Sequence, residues 1–210
     1  TSGPEHPKGL EALPDSIELA SLEEDHPSKL YLDSRGFSYF RDSEEIRFTP
    51  SYMRGGIRYG PRIVFPFYQF DVYRGFQVRS IDEVSKPKYV TALGTLKRQF
   101  LYNYDRAFKQ RKRLILVEGI FDCLKILDEG VALLGKAMTE EQYNLINNGE
   151  FDEYLVFLDK DAYKDARVIA HKLARYNKAY VVTTPFKDLG EIPFDQVNNY
   201  LTKKYMERVF

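Results

Sequence analysis

The chain has 210 residues, 43% hydrophobic and 30% charged, with 31 Lys/Arg balanced by 31 Asp/Glu, which suits one large or two small globular domains of a soluble protein. Its single cysteine, Cys123, excludes both a disulfide framework and a cysteine zinc site built within these residues. No apolar run reaches the length of a membrane span and no signal peptide is visible, so a cytoplasmic location is expected.

The zero net charge hides an uneven distribution. Thr1 to Ser51 holds five Lys/Arg against 11 Asp/Glu, Tyr52 to Arg113 holds 14 against four, and Leu114 to Phe210 holds 12 against 16. A cationic middle third beside an acidic last third fits a protein that holds a polyanion on one surface and reacts it at another, though a solvated basic face explains the charge equally well.

The opening Thr1 to Pro4 reads as an expression scar or truncation edge and carries no weight. Residues 1–27 are rich in Pro, Glu, Ser and Asp and read as a loose arm with a short helix from Ser16 to Leu22. Ser28 to Phe37 is expected to be helical, stopped by Gly36. Arg62 to Phe67, Val72 to Arg79 and Lys88 to Thr91 read as antiparallel strands of a small sheet, and Leu96 to Gln110 as a helix.

From Leu114 onward, strand and helix alternate. Strands are expected at Leu114 to Val117, Val131 to Leu134, Tyr154 to Leu158 and Tyr180 to Thr183. Helices follow from Ile120 toward Gly130, from Thr139, along Ala162 to Leu173, and from Phe194 to Tyr205. Such alternation predicts an α/β fold, a parallel sheet flanked by helices, preceded by a smaller basic α+β subdomain. The expected division is an arm over 1–27, a basic subdomain over 28–112 and a metal-binding domain over 113–210.

Ligands of open parallel sheets gather beyond the carboxyl ends of the strands. Glu118 follows the first strand, Asp159 and Asp161 the third, and Asp188 the fourth, while Asp122 lies one helical turn beyond Glu118. Read singly, Asp159 and Asp161 serve equally well as helix caps. Three successive units ending in acids point instead to a shared site, because grouped carboxylates repel and a divalent cation relieves the repulsion. Mg2+ or Mn2+ suits an all-oxygen donor set.

These segments resemble the Toprim domain, a metal-binding module of bacterial-type primases, topoisomerases and some nucleases, whose signature is Glu after one strand and Asp-x-Asp after a later one. Glu118 and Asp159-Lys160-Asp161 fit that signature. The likeness is closer to bacterial DnaG-like primases. VEGIFD (Val117 to Asp122) resembles their EGYMD, LLGKAM (Leu133 to Met138) their LGTA, LDKDAYKDA (Leu158 to Ala166) their DGDRAGRKAA, and PFKDLGE (Pro185 to Glu191) their DPDE. Upstream, RIVFPF, GFQVRS, KPKYV and LKRQFLYNYDRA follow the order of the family's N-terminal subdomain.

The resemblance implies a DNA primase core making short RNA primers on single-stranded DNA from ribonucleoside triphosphates, with Mg2+ or Mn2+ and without zinc. It implies Glu118, Asp159 and Asp161 as catalytic residues, with Asp122 and Asp188 joining them as metal ligands, and Arg62, Arg79, Lys88 and Lys97 as nucleotide and nucleic-acid contacts. A replicative helicase or a separate template-recognition protein is the implied partner, and no membrane is involved.

This sequence departs from the family in lacking the zinc ribbon and any helicase segment, and in carrying Gly190 where DPDE has its second Asp. An excised core, a compact phage or plasmid primase, and a relative that has left priming all remain open. The rivals are a Toprim nuclease and a non-catalytic nucleic-acid-binding relative, whereas a type IA topoisomerase needs gate domains for which the chain is too short. His6, His26 and His171 lie away from every motif, Cys123 is expected to be buried and inert, and Arg111-Lys112-Arg113 fits either a nucleic-acid contact or a solvated loop.

Overall fold

A computed structural model describes residues 9–82, 84–110 and 112–210. The first eight residues of the expected arm, His6 among them, and Arg111 of the basic cluster lie outside the described residues. The chain divides into two compact units, Thr1–Tyr68 with Val72–Thr95, and Gln69–Asp71 with Leu96–Phe210. Among the described residues no helix is long and apolar enough to cross a membrane.

The first unit contains β1 (Ile17–Glu18), α1 (Pro27–Ser34), β2 (Arg47–Thr49), β3 (Tyr52–Arg54), β4 (Ile57–Tyr59), β5 (Arg62–Gln69), β6 (Val72–Ser80) and β7 (Tyr89–Thr91). Its main sheet has the order β1-β2-β5-β6-β7, and β3 and β4 form a separate hairpin. Phe48 stands opposite Ile63 and Val78 opposite Val90, both in antiparallel pairs. Val64, Phe76, Val78 and Val90 pack with Tyr52 as the unit's core.

The helix expected over Ser16 to Leu22 is instead β1 followed by a 3-10 turn at Leu19–Ser21. The backbone N–H of Leu19 donates to Ile46 O and that of Ala20 to Ser43 O, so tertiary partners take the amides a helix would have used. α1 begins with Pro27 in its first turn, and the His26 ring accepts the Ser28 N–H as a cap. Gly36, at φ +77°, supplies the left-handed residue that ends it. His26 also meets Phe48 edge-on at 4.5 Å, a packing role its place in the arm did not suggest.

The second unit contains α2 (Tyr104–Gln110), β8 (Arg113–Val117), α3 (Ile120–Leu124), β9 (Gly130–Ala132), α4 (Glu140–Asn147), β10 (Glu153–Val156), α5 (Tyr163–Leu173), β11 (Lys178–Val182), α6 (Val197–Tyr200) and β12 (Met206–Val209). The sheet order is β12-β11-β10-β8-β9. β9, β8, β10 and β11 are parallel, and β12 is antiparallel on the β11 edge. This is the α/β architecture, a parallel sheet flanked by helices, that the alternation implied.

Each central strand is apolar on both faces, as a sheet covered on both sides requires. Leu114, Leu116, Tyr154 and Val156 pack with Ala166, Ile169 and Leu173 of α5 and with Ile146 of α4. Ile115, Val117, Leu155 and Phe157 face the other way, against Cys123, Leu189, Ile192 and Val197. Cys123 is fully buried, and burial pushes its thiol well above its ordinary range, so it is inert.

Three expected helices are cut short or broken: the one from Ile120 toward Gly130 ends at Leu124, where the Lys125 and Ile126 amides donate to Asp122 O and Cys123 O in tight turns. Leu96 to Gln110 becomes a 3-10 turn at Lys97–Gln99 and then α2, because Tyr102 exchanges backbone hydrogen bonds with Ala132 of β9. Phe194 to Tyr205 becomes a 3-10 turn, α6 and a second 3-10 turn, after which Tyr205 O accepts the Thr183 N–H and the chain enters β12.

Candidate active site

The acids gather at the carboxyl ends of β8, β10 and β11. Glu118 directly follows β8, and its Oε1 accepts the backbone N–H of Asp159 at 3.2 Å. The next amide, Lys160 N–H, donates to Lys187 O at 2.7 Å and so ties the Asp159 turn to the loop carrying Asp188. Asp188 in turn caps the turn at Leu189–Glu191, its Oδ1 accepting the Glu191 N–H at 3.0 Å. Asp122 lies in the first turn of α3. An ideal Cβ placed on Gly190 would lie 2.9 Å from Asp188 Oδ1 and 3.6 Å from Asp122 Oδ1, so the residue standing where the family has an acid sits between two carboxylates.

The electrostatics match this crowding. Burial, then Asp159 and Asp188, push the Asp122 carboxyl up to about 7 from an ordinary 3.8. Glu118 is raised by burial and by Asp159, and Asp159 by burial and by Asp188 and Asp161. Asp161 runs the other way. The Lys136 ammonium lies 2.5 Å from its Oδ2 and holds it below the ordinary carboxylate range.

All five sequence-selected acids thus interact, although among the described residues no three His, Cys, Asp or Glu side chains are already arranged as a metal shell. One Glu118 oxygen bonds an amide and Asp161 is turned to a lysine. The donor set nonetheless suits a hard cation, since it is all oxygen and three of its members are raised by burial and then by one another's charge. A cavity of about 350 Å³ opens beside Asp159, lined by Lys160, Tyr163, Thr183, Phe186 and Lys187 among others.

The four sequence-selected basic residues are placed differently from one another. Arg62 is 1% exposed, its Nη1 donating to Pro87 O and Lys88 O at 3.1 and 3.2 Å, with its guanidinium 4.9 Å over the Tyr59 ring. Arg79 is also buried, donating to Tyr31 Oη at 2.9 Å and lying over Tyr89 at 4.5 Å. Both therefore brace the first unit from inside. Lys88 is exposed, and Lys97 is half-buried in the second unit.

Two site lysines were missed as functional residues. Lys136 lies inside the LLGKAM segment, yet nothing in that segment showed that its ammonium meets Asp161. Lys125 is buried at the end of α3, and its Nζ donates to Gly190 O at 2.7 Å and Ile192 O at 2.5 Å, which anchors the Asp188 loop. Replacing Lys125 with Met is expected to cost about 1–3 kcal/mol by stranding those carbonyls, measured by urea unfolding, and to loosen the Asp188 loop. Unchanged stability would show that the loop is held otherwise.

Comparison with known proteins supports the fold. The crystal structure of the Aquifex aeolicus primase zinc-binding and RNA polymerase domains superposes with a TM-score of 0.70 at 20% identity, over 91% of this chain and 58% of that one. A DnaG catalytic domain bound to single-stranded DNA matches with a TM-score of 0.68 at 16% identity, over 90% and 74%. The chain has the fold of the DnaG primase catalytic core.

In sequence it is similar to two bacterial DNA primases. It is 30% identical to the DNA primase of Mycoplasma genitalium over 149 residues, 65% of this chain and 23% of that protein. It is 35% identical to the Aquifex aeolicus DNA primase over 104 residues, 44% of this chain and 20% of that one. The chain thus spans about a quarter or less of the curated primases it matches. No protein-family profile matches it.

Proposed function

We propose that this chain is the catalytic core of a DNA primase, an RNA-polymerase-type nucleotidyltransferase that joins ribonucleoside triphosphates on single-stranded DNA. The observation that carries the reading is the meeting of Glu118, Asp122, Asp159 and Asp188 at the carboxyl edge of the parallel sheet, in a DnaG-type fold. The expected division, a basic subdomain over 28–112 and a metal-binding domain over 113–210, belongs to the same reading.

Asp159 and Asp161, supported by Glu118, Asp122 and Asp188, would hold Mg2+ or Mn2+. When bound, such an ion lowers the pKa of an attacking hydroxyl and offsets negative charge on the reacting phosphate. Glu118 keeps the Asp159 turn in place through the Asp159 amide. The cavity beside Asp159 has room for a base and sugar, with Tyr163 and Phe186 as apolar walls and Lys160 and Lys187 as partners for phosphate. Lys88 and Lys97 would meet phosphates directly, whereas buried Arg62 and Arg79 would act by shaping the first unit. A helicase or a template-recognition protein fits as a partner.

The test is incubation with single-stranded DNA, labelled ribonucleotides and Mg2+ or Mn2+. New short RNA that disappears with EDTA is the expected product. Shortened DNA without RNA would replace this reading with the nuclease, and neither product would leave a binding module.

A further inference from the structure

Lys136 is the one cation whose hydrogen bond to an acid of the cluster is seen among the described residues. It lies in the segment Leu134-Gly135-Lys136-Ala137, between β9 and α4, and so brings an ammonium to the edge of the acidic site. Its Nζ is 2.5 Å from Asp161 Oδ2 and within the electrostatic reach of Glu118 and Asp159. Lys187 adds a second, longer-range positive charge near Asp159 and Asp161. The Lys136 and Asp161 side chains are 49% and 67% exposed, so the pair is a surface salt bridge that a stronger ligand can open.

We infer that Lys136 is a tethered competitor for divalent metal, its ammonium occupying at Asp161 the place that a metal ion takes, so that metal reaches this carboxylate only by displacing the lysine. This rests on the reading of the acids as a metal site. A monovalent charge fixed beside Asp161 offsets part of the repulsion that would otherwise draw in a dication, and it repels the dication itself. The chain therefore holds metal at Asp161 more weakly than its acid count implies.

The experiment is Mn2+ titration of the full chain, following free Mn2+ by electron paramagnetic resonance, for wild type, Lys136→Met, Lys136→Thr, Lys136→Arg and Asp159→Asn. Removing a unit charge about 5 Å from a dication in a solvated setting is worth about tenfold in affinity. Lys136→Met and Lys136→Thr are expected to bind Mn2+ about tenfold more tightly, and Lys136→Arg to stay within about twofold of wild type. Binding by wild type that is lost in Asp159→Asn but not tightened in Lys136→Met or Lys136→Thr would overturn the inference and leave the metal site standing. Absence of Mn2+ binding in wild type and in both neutral variants would overturn the metal reading and this inference together. Binding that appears only in the neutral variants supports both.

Discussion

Replacing Asp159 with Asn is expected to abolish the proposed primer synthesis, lowering the rate by about 10³ or more, while the protein remains folded. The substitution keeps shape and removes charge. Its backbone N–H, which Glu118 Oε1 accepts, is untouched, so the turn after β10 keeps its anchor. What disappears is the carboxylate that stands at the centre of the group, raised by burial and by both Asp188 and Asp161, and itself raising Glu118 and Asp122. Loss of one preorganised electrostatic group commonly costs 10² to 10³ in rate, and a lost metal ligand lies at the severe end, hence about 10³. Thermal stability should hold or rise, because repulsion is relieved. Asp152→Asn, at an exposed position just before β10, is the control that should leave activity unchanged. Full activity in Asp159→Asn would remove Asp159 from the chemistry and end the primase reading of this site.

The parts of the fold that sequence made legible are those where physics leaves one option. Leu114 to Val117 and Tyr154 to Val156 are apolar at every position because they are covered on both faces, Leu116 toward α5 and Ile115 toward Cys123 and Leu189. β12 offered no such signal. It has four residues, two of them the charged Glu207 and Arg208, and it pairs on one side only, where charge is tolerated. Acids could be selected because strand ends mark the functional edge of a parallel sheet. The lysines that organise the same edge could not, since Lys125 bonds backbone carbonyls, which have no residue signature, and the Lys136 bond depends on how the β9–α4 loop turns. Charge counting was equally silent on the placement of Arg62 and Arg79, which the family resemblance had selected. Both contribute to the cationic surplus of the middle third, yet both are buried against carbonyls or aromatic rings. A tally of charge does not separate a snorkelling cation from a packed one.

Asp122→Asn is expected to stabilise the metal-free protein, by an amount that depends on pH in a defined way. The Asp122 carboxyl ionises near 3.8 when unfolded and at about 7 when folded, its charged form disfavoured by burial and then by Asp159 and Asp188. A raised folded pKa means that the native state binds the proton more tightly than the unfolded chain. The resulting stabilisation is complete below the unfolded value, is lost as pH rises through the folded one, and is constant thereafter. Wild type should therefore lose stability between about pH 4 and about pH 7 on account of this residue, and the neutral amide should not. About three pKa units at about 1.36 kcal/mol each set a ceiling of about 4 kcal/mol, with about 2 expected once burial of the amide is counted. Urea unfolding in EDTA should show the variant level with wild type near pH 4 and more stable by about 2 kcal/mol at pH 8. Saturating Mg2+ should shrink or reverse that advantage, because an ion bound to the native state restores to wild type what repulsion removed. A stability difference that is flat with pH would mean that burial and its neighbours do not hold Asp122 above the ordinary carboxylate range, and a Mg2+ response equal in both proteins would separate Asp122 from the metal.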